Sequence, residues 1–368
     1  MSGANKDGSK PKISIVCPSY NHGRFVGKFI ESVLSQTRTD WELIIVDDNS
    51  SDNNVGEIEK NTDSRIRLVR HSWNMGINAG LNDGVGLAKG EYIVFCASDD
   101  MLYPEHLETV SKILDGRPQV GAVACLLTAV DENGHPSDYL KNWTKPPTED
   151  RYWALRQMFL YGNFMLSPGM TVRNSLLKNL LPLSMSEVMI QDCALWTRIF
   201  FNADIVWTRV PLVYYRRMAD GGNVSVDNPE TLLRCEWEAS QLLDIYKNMS
   251  VEQIENVFND EIKAMGLKVY ADTIPYILGR IALGSSKTSH RAWGYRMVVN
   301  YAKTPEAYIR LHDLYGFTYK DLLTLVNVQS NTNSLSQCIN RKRKGLEKLF
   351  YKLYRHFEKR SLKKCVVL

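Results

Sequence analysis

The chain lacks the cysteine pattern of a disulfide-rich or zinc-binding protein. Its seven cysteines are scattered over 368 residues, and no two of them form a C-x-x-C pair. Disulfide frameworks and zinc sites both depend on cysteines at short, regular spacings. We therefore expect a reducing, cytoplasmic setting, in which the sequons at Asn142, Asn223 and Asn248 carry no glycan.

Long apolar runs are also missing. No uninterrupted run approaches the roughly 18 residues that a transmembrane helix requires, and the longest mostly apolar stretch, Val120 to Val130, is predicted to be a core strand. Residues 1–11 are polar and have no apolar h-region, so they are predicted to be a disordered tail rather than a signal peptide. The hydrophobic content of 44% is ordinary for a globular protein.

Two common phosphate-binding motifs do not occur. The chain has no G-x-x-x-x-G-K-[ST] loop. The G-x-G pair at Gly84 and Gly86 lacks the third glycine and the directly preceding strand of a dinucleotide fingerprint. The sequence therefore does not support a P-loop or dinucleotide-binding protein.

The stretch from Gly90 to Asp100 combines a predicted buried strand with two adjacent carboxylates. Tyr92 to Cys96 is apolar, which places Asp99 and Asp100 just past its carboxyl end. Ligands bind at that edge of open α/β sheets. Because adjacent carboxylates repel each other, the pair predicts a hard divalent cation shared with a diphosphate. The alternative is that both aspartates cap the helix expected from Pro104.

A second acidic strand end precedes this one. Glu42 to Val46 is a predicted strand, and Asp47 and Asp48 follow it directly. Strands alternate with segments of helical periodicity over residues 12–228, which is typical of an α/β domain with a mostly parallel sheet.

Asp192 lies in the first turn of a helix predicted to begin at Gln191. A carboxylate there interacts favourably with the helix dipole, by roughly 0.3–1 kcal/mol, and this structural role is sufficient to explain it. The alternative is a general base that faces the ligand cleft. The residue pattern leaves both interpretations open.

The pattern changes near Pro229, after which helical segments follow one another without strands. We predict a helical region over residues 229–328 and a polar, Ser- and Asn-rich linker over 329–340. Residues 341–368 carry 11 Lys or Arg against two Glu, whereas the preceding 340 residues carry 34 Lys or Arg against 39 Asp or Glu. The net charges are therefore +9 and −5, and the tail is electrostatically separate.

This tail contains five large apolar side chains on one face of a predicted helix, at Leu346, Leu349, Phe350, Leu353 and Phe357. A basic amphipathic helix is typical of binding to an anionic membrane surface. Packing on the protein is the alternative. Nucleic acid is not a predicted partner, because the rest of the chain is acidic. Residues 365–368 also fit a prenylation box, which matters only in a eukaryotic cell.

Six segments, in order, resemble the inverting glycosyltransferases of family 2. They are SIVCPSYNHGRFVGKFIESVLSQT, WELIIVDDNSSD, NMGINAGLNDGVGLAKGEYIVFCASDD, SPGMTVRNSLL, QDCALWTRIF and YYRRMADGGNVS. Each segment alone is a weak signal, but their order and spacing over residues 12–225 are specific. The resemblance implies the GT-A fold, a Rossmann-like, mostly parallel sheet flanked by helices, with a helical C-terminal region after it.

The resemblance also implies roles for six residues. Pro18 and Tyr20 would line the nucleotide base, and Asp48 would accept the N3 hydrogen of uracil. Asp99 would hold the ribose or a water on the metal ion, and Asp100 would ligate the Mg²⁺ or Mn²⁺ that bridges the diphosphate. Asp192 would be the catalytic base.

Three positions depart from the usual family pattern. Gln191 precedes Asp192 where glutamate is usual, Leu81 stands where many relatives have arginine, and Met218 stands where many have histidine. Met218 makes a third protein ligand from its loop unexpected. The Q-x-x-R-W motif of processive synthases is absent, which favours transfer of a single sugar.

The function implied is a metal-dependent transfer of one sugar from a UDP-sugar to a hydroxyl of a polyprenyl-diphosphate-linked glycan, in polysaccharide, O-antigen or capsule synthesis. Such an enzyme would be cytoplasmic and peripheral at the inner face of the cell membrane. A sugar nucleotidyltransferase, which would release pyrophosphate, is the enzymatic alternative. A catalytically silent glycan-binding or scaffold subunit is the other, because of the three departures.

Overall fold

The computed structural model describes residues 10–141, 143, 145–218 and 228–325. Strands and helices alternate over its first part, and helices alone follow, so the predicted α/β class with a helical C-terminal region is confirmed. The predicted linker over 329–340, the basic tail over 341–368 and most of the predicted amino-terminal tail lie outside the described residues.

The described strands are β1 (Ile13–Ser19), β2 (Trp41–Asp47), β3 (Ile66–Arg70), β4 (Tyr92–Phe95), β5 (Met101–Leu102), β6 (Val120–Val130), β7 (Met170–Arg173) and β8 (Asp204–Arg216). The described α-helices are α1 (Val26–Leu34), α2 (Asn54–Glu59), α3 (Ile77–Leu87), α4 (His106–Gly116), α5 (Arg151–Tyr161), α6 (Asn174–Leu180), α7 (Gln191–Asn202), α8 (Pro229–Leu242), α9 (Val251–Met265), α10 (Ile274–Leu283), α11 (Thr288–Tyr301), α12 (Pro305–Tyr315) and α13 (Tyr319–Leu325).

The strands form one mixed sheet in the order β3-β2-β1-β4-β7-β6-β8-β5. The pairs among β3, β2, β1 and β4 are all parallel, as is the β6–β8 pair. The pairs β4–β7, β6–β7 and β5–β8 are antiparallel. The sheet is therefore parallel among β1 to β4, as predicted, and mixed among the later strands.

The core lies on both faces of the parallel strands. All seven residues of β2 are buried, because helices cover a sheet of this kind on both sides. The apolar side chains of α1 recur at helical spacing and pack into this core, namely Val26, Phe29, Ile30 and Val33. This packing fixes β1 and β2, and with them the loops at their carboxyl ends.

Two boundaries differ from what the sequence predicts. The pattern predicts two strands, over residues 204–210 and 212–216, but residues 204–216 form one strand, because Pro211 falls at a register irregularity of the β6–β8 pair, where a missing N–H is tolerated. The pattern also predicts a helix over residues 251–283 broken at Pro275, but Pro275 lies in the first turn of α10, which its fixed φ favours.

The chain divides into two compact units, residues 1–259 and 260–368. The first contains the sheet and continues through α8, beyond the Asn228 boundary proposed from the sequence, and the domain limits stay a prediction. In the second, α10 and α11 approach closely, since a Cβ on Gly279 would lie 3.0 Å from the Gly294 carbonyl oxygen. No helix within the described ranges combines the length and apolar character that crossing a bilayer demands.

Gly90 is predicted to be irreplaceable, because the start of β4 passes very close to β1. A Cβ on Gly90 would lie 2.5 Å from the Ser14 backbone nitrogen. Gly90→Ala is expected to destabilise the fold by roughly 1–3 kcal/mol, the usual cost of overpacking, as measured by the urea midpoint. The matched control is Gly116→Ala, because no heavy atom lies within 4 Å of a Cβ there; an equal effect at both sites would contradict the prediction.

Candidate active site

The carboxyl ends of β1, β2 and β4 meet at one edge of the sheet, because these strands are parallel neighbours. Ser19 at the end of β1 pairs with Asp47 at the end of β2. The Asp48 N–H donates to the Ser19 carbonyl at 2.9 Å, while Asp99 and Asp100 follow β4 on the other side of β1. The two acidic strand ends therefore lie at the same edge of the sheet.

A chain of side-chain hydrogen bonds connects these strand ends. His22 Nδ1 lies 2.8 Å from Ser98 Oγ. Ser98 donates to Ser19 Oγ at 2.7 Å, and Ser19 donates to Asn54 Oδ1 at 3.0 Å. Asn54 Nδ2 then donates to Asp47 Oδ1 at 2.7 Å. Because the Ser98 hydroxyl hydrogen points to Ser19, the donor between His22 and Ser98 is His22 Nδ1–H.

Asp48 is held by the loop that precedes α3. Its Oδ1 accepts hydrogen bonds from the Met75 N–H and from His71 Nδ1, both at 2.7 Å, and its Oδ2 accepts from the Gly76 N–H at 2.7 Å. Burial alone would lower the pKa of His71, but the hydrogen bonds to Asp48 and Asp83 raise it. A carboxylate accepts about four hydrogen bonds, so Asp48 retains capacity for another donor.

Arg216 holds the Asp99–Asp100 pair in place. This arginine is only 1% exposed, and its Nε donates to the Asp99 carbonyl at 2.8 Å. Its backbone N–H donates to Asp100 Oδ1 at 2.9 Å. Its Nη1 reaches the carbonyls of Asp131 and Glu132 at 3.0 and 2.8 Å. One buried cation therefore joins the end of β8 to the loops after β4 and β6.

The helix-cap alternative for Asp99 and Asp100 is wrong. β5 follows Asp100 directly, and α4 begins only at His106, with Glu105 at its N-cap position. Both aspartates are buried, at 7% and 3% exposure. The two aspartates therefore lie just past the end of a strand and do not cap a helix.

The chemistry of this pair fits a hard divalent cation that the protein does not enclose by itself. Burial and the neighbouring Asp99 raise the pKa of Asp100 well above its usual value, against the opposing charge of Arg216. A bound cation would favour the ionised form. Among the described residues, no third His, Cys, Asp or Glu completes a metal-binding cluster. Mg²⁺ and Mn²⁺ typically take one or two carboxylates and fill their other positions with water and phosphate oxygens.

Asp192 lies in the first turn of α7, as predicted. Its Oδ1 accepts from the Cys193 N–H at 2.7 Å, and its Oδ2 accepts from Asn163 Nδ2 at 3.2 Å. Burial nevertheless raises the pKa of its carboxyl. Glu238 of α8 fixes the start of this helix, because its Oε2 accepts the N–H groups of Met189 and Ile190.

A cavity of about 290 Å³ brings together residues that lie far apart in the sequence. Four of the six predicted site residues line it, namely Pro18, Asp99, Asp100 and Asp192. Asp48 and Tyr20 are not part of its lining; Asp48 lies beside the end of β1, and Tyr20 is 44% exposed just after that strand. Aspartates of the two motifs therefore border one cavity.

Several residues that build this site were not predicted. Arg216 and Glu238 act on partners more than 40 positions away, and only the double arginine of YYRR, at the end of a predicted strand, pointed to the first. Asn82 forms two hydrogen bonds with the backbone of Leu183, at 2.8 and 3.0 Å, and Asn78 binds the carbonyls of residues 184 and 187. These asparagines attach the loop before α7 to α3.

Replacement of Arg216 tests its role in holding the acidic strand end. Arg216→Met is expected to destabilise the protein by roughly 3–5 kcal/mol, because it removes the positive charge beside two buried carboxylates and the hydrogen bonds to three carbonyls. Urea unfolding measures the loss. Arg209→Met, at an exposed position of the same strand, is the matched control and should change stability little; equal effects of the two changes would contradict the assignment.

The raised pKa of Asp192 predicts a pH-dependent gain of stability when it is neutralised. Below about pH 4 the carboxyl is protonated in both the folded and the unfolded chain, so burial costs nothing there. Above the raised folded pKa the half-buried carboxylate destabilises the fold. Asp192→Asn should therefore raise the urea midpoint at pH 7 and not at pH 3. Asp204→Asn, at an exposed carboxylate, should show no such gain; a gain that is independent of pH would refute the explanation.

The family model described as "Glycosyl transferase family 2" matches residues 14–176. An uncharacterized glycosyltransferase of Methanocaldococcus jannaschii is 30% identical over 199 residues, which are 52% of this chain and 66% of that protein. The Escherichia coli UDP-Glc:alpha-D-GlcNAc-diphosphoundecaprenol beta-1,3-glucosyltransferase WfgD is 38% identical over 96 residues, 26% of this chain and 38% of that protein. The chain thus spans less than two thirds of the length of these relatives.

A crystal structure of Staphylococcus aureus TarS 1–349 in complex with UDP resembles this structure with a TM-score of 0.53 and 17% sequence identity, over 88% of this chain and 91% of that one. The complex of the same protein with UDP-GlcNAc gives the same TM-score, over 88% and 92%. At this identity the likeness concerns the fold alone. Together with the family match, it shows that residues 14–176 form a glycosyltransferase family 2 domain and that the fold is of the GT-A type.

Proposed function

We propose that this chain is an inverting, metal-dependent glycosyltransferase that moves one sugar from a UDP-sugar to a hydroxyl of a glycan acceptor. The observation that carries the proposal is the cavity shared by Asp99, Asp100 and Asp192. Inverting transfer needs a base for the attacking hydroxyl and compensation of the charge on the leaving diphosphate. Carboxylates suited to both tasks border this one cavity.

Pro18, Tyr20 and Asp48 are proposed to bind the nucleotide. Tyr20 exposes its ring next to the end of β1, and the Asp48 carboxylate has room for one more donor, which the N3–H of uracil would supply. The choice of UDP is also supported by two similar proteins, because WfgD is named for a UDP-Glc donor and TarS was crystallised with UDP.

Asp99 and Asp100 are proposed to hold Mg²⁺ or Mn²⁺. When bound, the ion would act as a Lewis acid toward the diphosphate. The contribution of the chain itself is a fixed position, because Arg216 holds the backbone of Asp99 with its Nε and one carboxylate oxygen of Asp100 with its backbone N–H. That fixed position lets the site bind the diphosphate end of the donor without rearrangement.

Asp192 is proposed to be the catalytic base. Its raised pKa makes the carboxylate a better proton acceptor than an exposed aspartate, and the Asn163 and Cys193 hydrogen bonds orient it. It would take the proton of the acceptor hydroxyl as that hydroxyl attacks the anomeric carbon from the face opposite the leaving diphosphate. The configuration at that carbon would therefore be inverted.

A lipid-linked glycan is the proposed acceptor, in the synthesis of a surface polysaccharide such as O-antigen or capsule. WfgD supports this class, because its name specifies a GlcNAc-diphosphoundecaprenol acceptor. An acceptor of this kind would require the enzyme to work peripherally at the inner face of the cell membrane. The basic segment proposed to bind the membrane, residues 341–368, lies outside the described residues.

Substitution of the two key carboxylates tests the mechanism. UDP release from a panel of UDP-sugars, with Mn²⁺ and undecaprenyl-diphosphate-linked GlcNAc, should fall on the order of 10²–10⁴-fold in Asp192→Asn, the range of general base catalysis. UDP binding should be unchanged in this variant. Asp100→Asn should instead weaken Mn²⁺-dependent UDP binding as well as turnover.

The matched control for both variants is Asp204→Asn, because Asp204 is an exposed carboxylate at the opposite end of β8. It should retain activity within about twofold. UDP release that survives both active-site changes would refute the mechanism. Release of pyrophosphate in place of UDP would favour a nucleotidyltransferase, and UDP-sugar binding without turnover in the unmodified chain would favour a silent scaffold subunit.

A further inference from the structure

Much of the lining of the active-site cavity is apolar, to an extent that a site for a polyhydroxyl sugar does not require. These apolar lining residues, called the apolar wall below, come from four separate segments and include Leu81, Met165, Met170, Leu183, Met189 and Leu195. A hydroxyl group that leaves water for such a wall loses its hydrogen bonds, at a cost of roughly 1–3 kcal/mol. A methyl group gains from the same transfer.

This wall is fixed in position by polar contacts behind it. Asn82 of α3 binds both the N–H and the carbonyl of Leu183, so the loop that supplies Leu183 is attached to the helix that supplies Leu81. Glu238 accepts the Met189 N–H at 2.8 Å, which fixes the other end of the loop. The apolar surface is therefore a built part of the cavity and does not depend on a ligand to form.

Gln191 adds a polar group to the same cavity. Its side-chain carbonyl oxygen is buried and has no hydrogen-bond partner among the residues that the structure describes. A buried acceptor without a donor is unfavourable, so turning this side chain toward a ligand donor in the cavity would be favoured. An amide N–H is a donor of this kind, and the neutral glutamine, unlike a glutamate, offers this acceptor without adding a negative charge.

We infer that the donor sugar of this enzyme carries a methyl group, as in a 2-acetamido sugar or a 6-deoxy sugar. The inference rests on the proposed function, because it assigns the cavity to the sugar of the nucleotide donor. The methyl group would lie against the Leu81, Leu183 and Met189 side of the cavity. A uronic acid would be excluded, because its carboxylate would meet both the apolar wall and three aspartates.

Binding of matched nucleotide sugars to the full chain tests the inference. With Mn²⁺ present, calorimetry would compare UDP-GlcNAc with UDP-glucose, UDP-GalNAc with UDP-galactose, and UDP-6-deoxyglucose with UDP-glucose, so that each pair differs only in the substituent under test. We expect the methyl-bearing member of at least one pair to bind tenfold or more tightly, which lies within the discrimination that small apolar groups provide. The first two pairs report an acetamido group, and the third reports a 6-deoxy group.

Substitution within one loop locates the preference. Met189→Gln should reduce the ratio of affinities to within about threefold, whereas Met185→Gln should not, because Met185 is 52% exposed on the same loop and does not line the cavity. Unchanged affinity for UDP alone would show that each variant is folded, and Leu81→Asn serves as the second variant if Met189→Gln fails that check.

The outcomes separate this inference from the proposed function. Equal affinities in all three pairs, or tighter binding of UDP-glucuronic acid than of UDP-glucose, would overturn the methyl-group assignment and leave the proposed transferase intact. A preference that persists in Met189→Gln and in Leu81→Asn would also overturn it. Failure of UDP and of every nucleotide sugar to bind would overturn both the assignment and the proposed function.

Discussion

Two carboxylates buried side by side repel each other, and the active site depends on how the fold tolerates that repulsion. Asp99 and Asp100 lie where β4 ends. The buried guanidinium of Arg216 donates to the Asp99 backbone carbonyl, and the Arg216 backbone N–H donates to the Asp100 carboxylate. Burial, together with the repulsion from Asp99 that remains, keeps the pKa of Asp100 raised despite the arginine. A cation shared with a diphosphate would remove the rest, so the same strain that costs stability favours the ligand.

Sequence reasoning identified the features that depend on local pattern. The apolar run from Tyr92 places Asp99 and Asp100 at a strand end, and the strand Val120–Val130 was predicted with its observed bounds. Burial of whole strands and the position of a residue just beyond them are short-range properties, which one sequence reveals. The position of Asp192 in the first turn of α7 was predictable for the same reason.

The supporting contacts were not predictable, because they join residues remote in sequence. Nothing near Glu238 indicates that its carboxylate accepts two N–H groups at the start of α7, and nothing near Asn82 indicates a bond to Leu183. Such pairs exist only once the sheet order is fixed. The lining of the cavity was not predictable either, since its apolar residues come from separate segments and resemble ordinary core positions in the sequence.

The bond from Glu238 has a consequence for dissecting this molecule into parts. The composition change at Pro229 suggests a fragment that stops there, and such a fragment would retain all six named site residues and every strand that the structure describes. It would nevertheless lack the carboxylate that accepts the Met189 and Ile190 N–H groups ahead of Asp192. A shortened form of this chain that preserves the start of α7 therefore has to extend through α8, which supports that helix from outside the sheet.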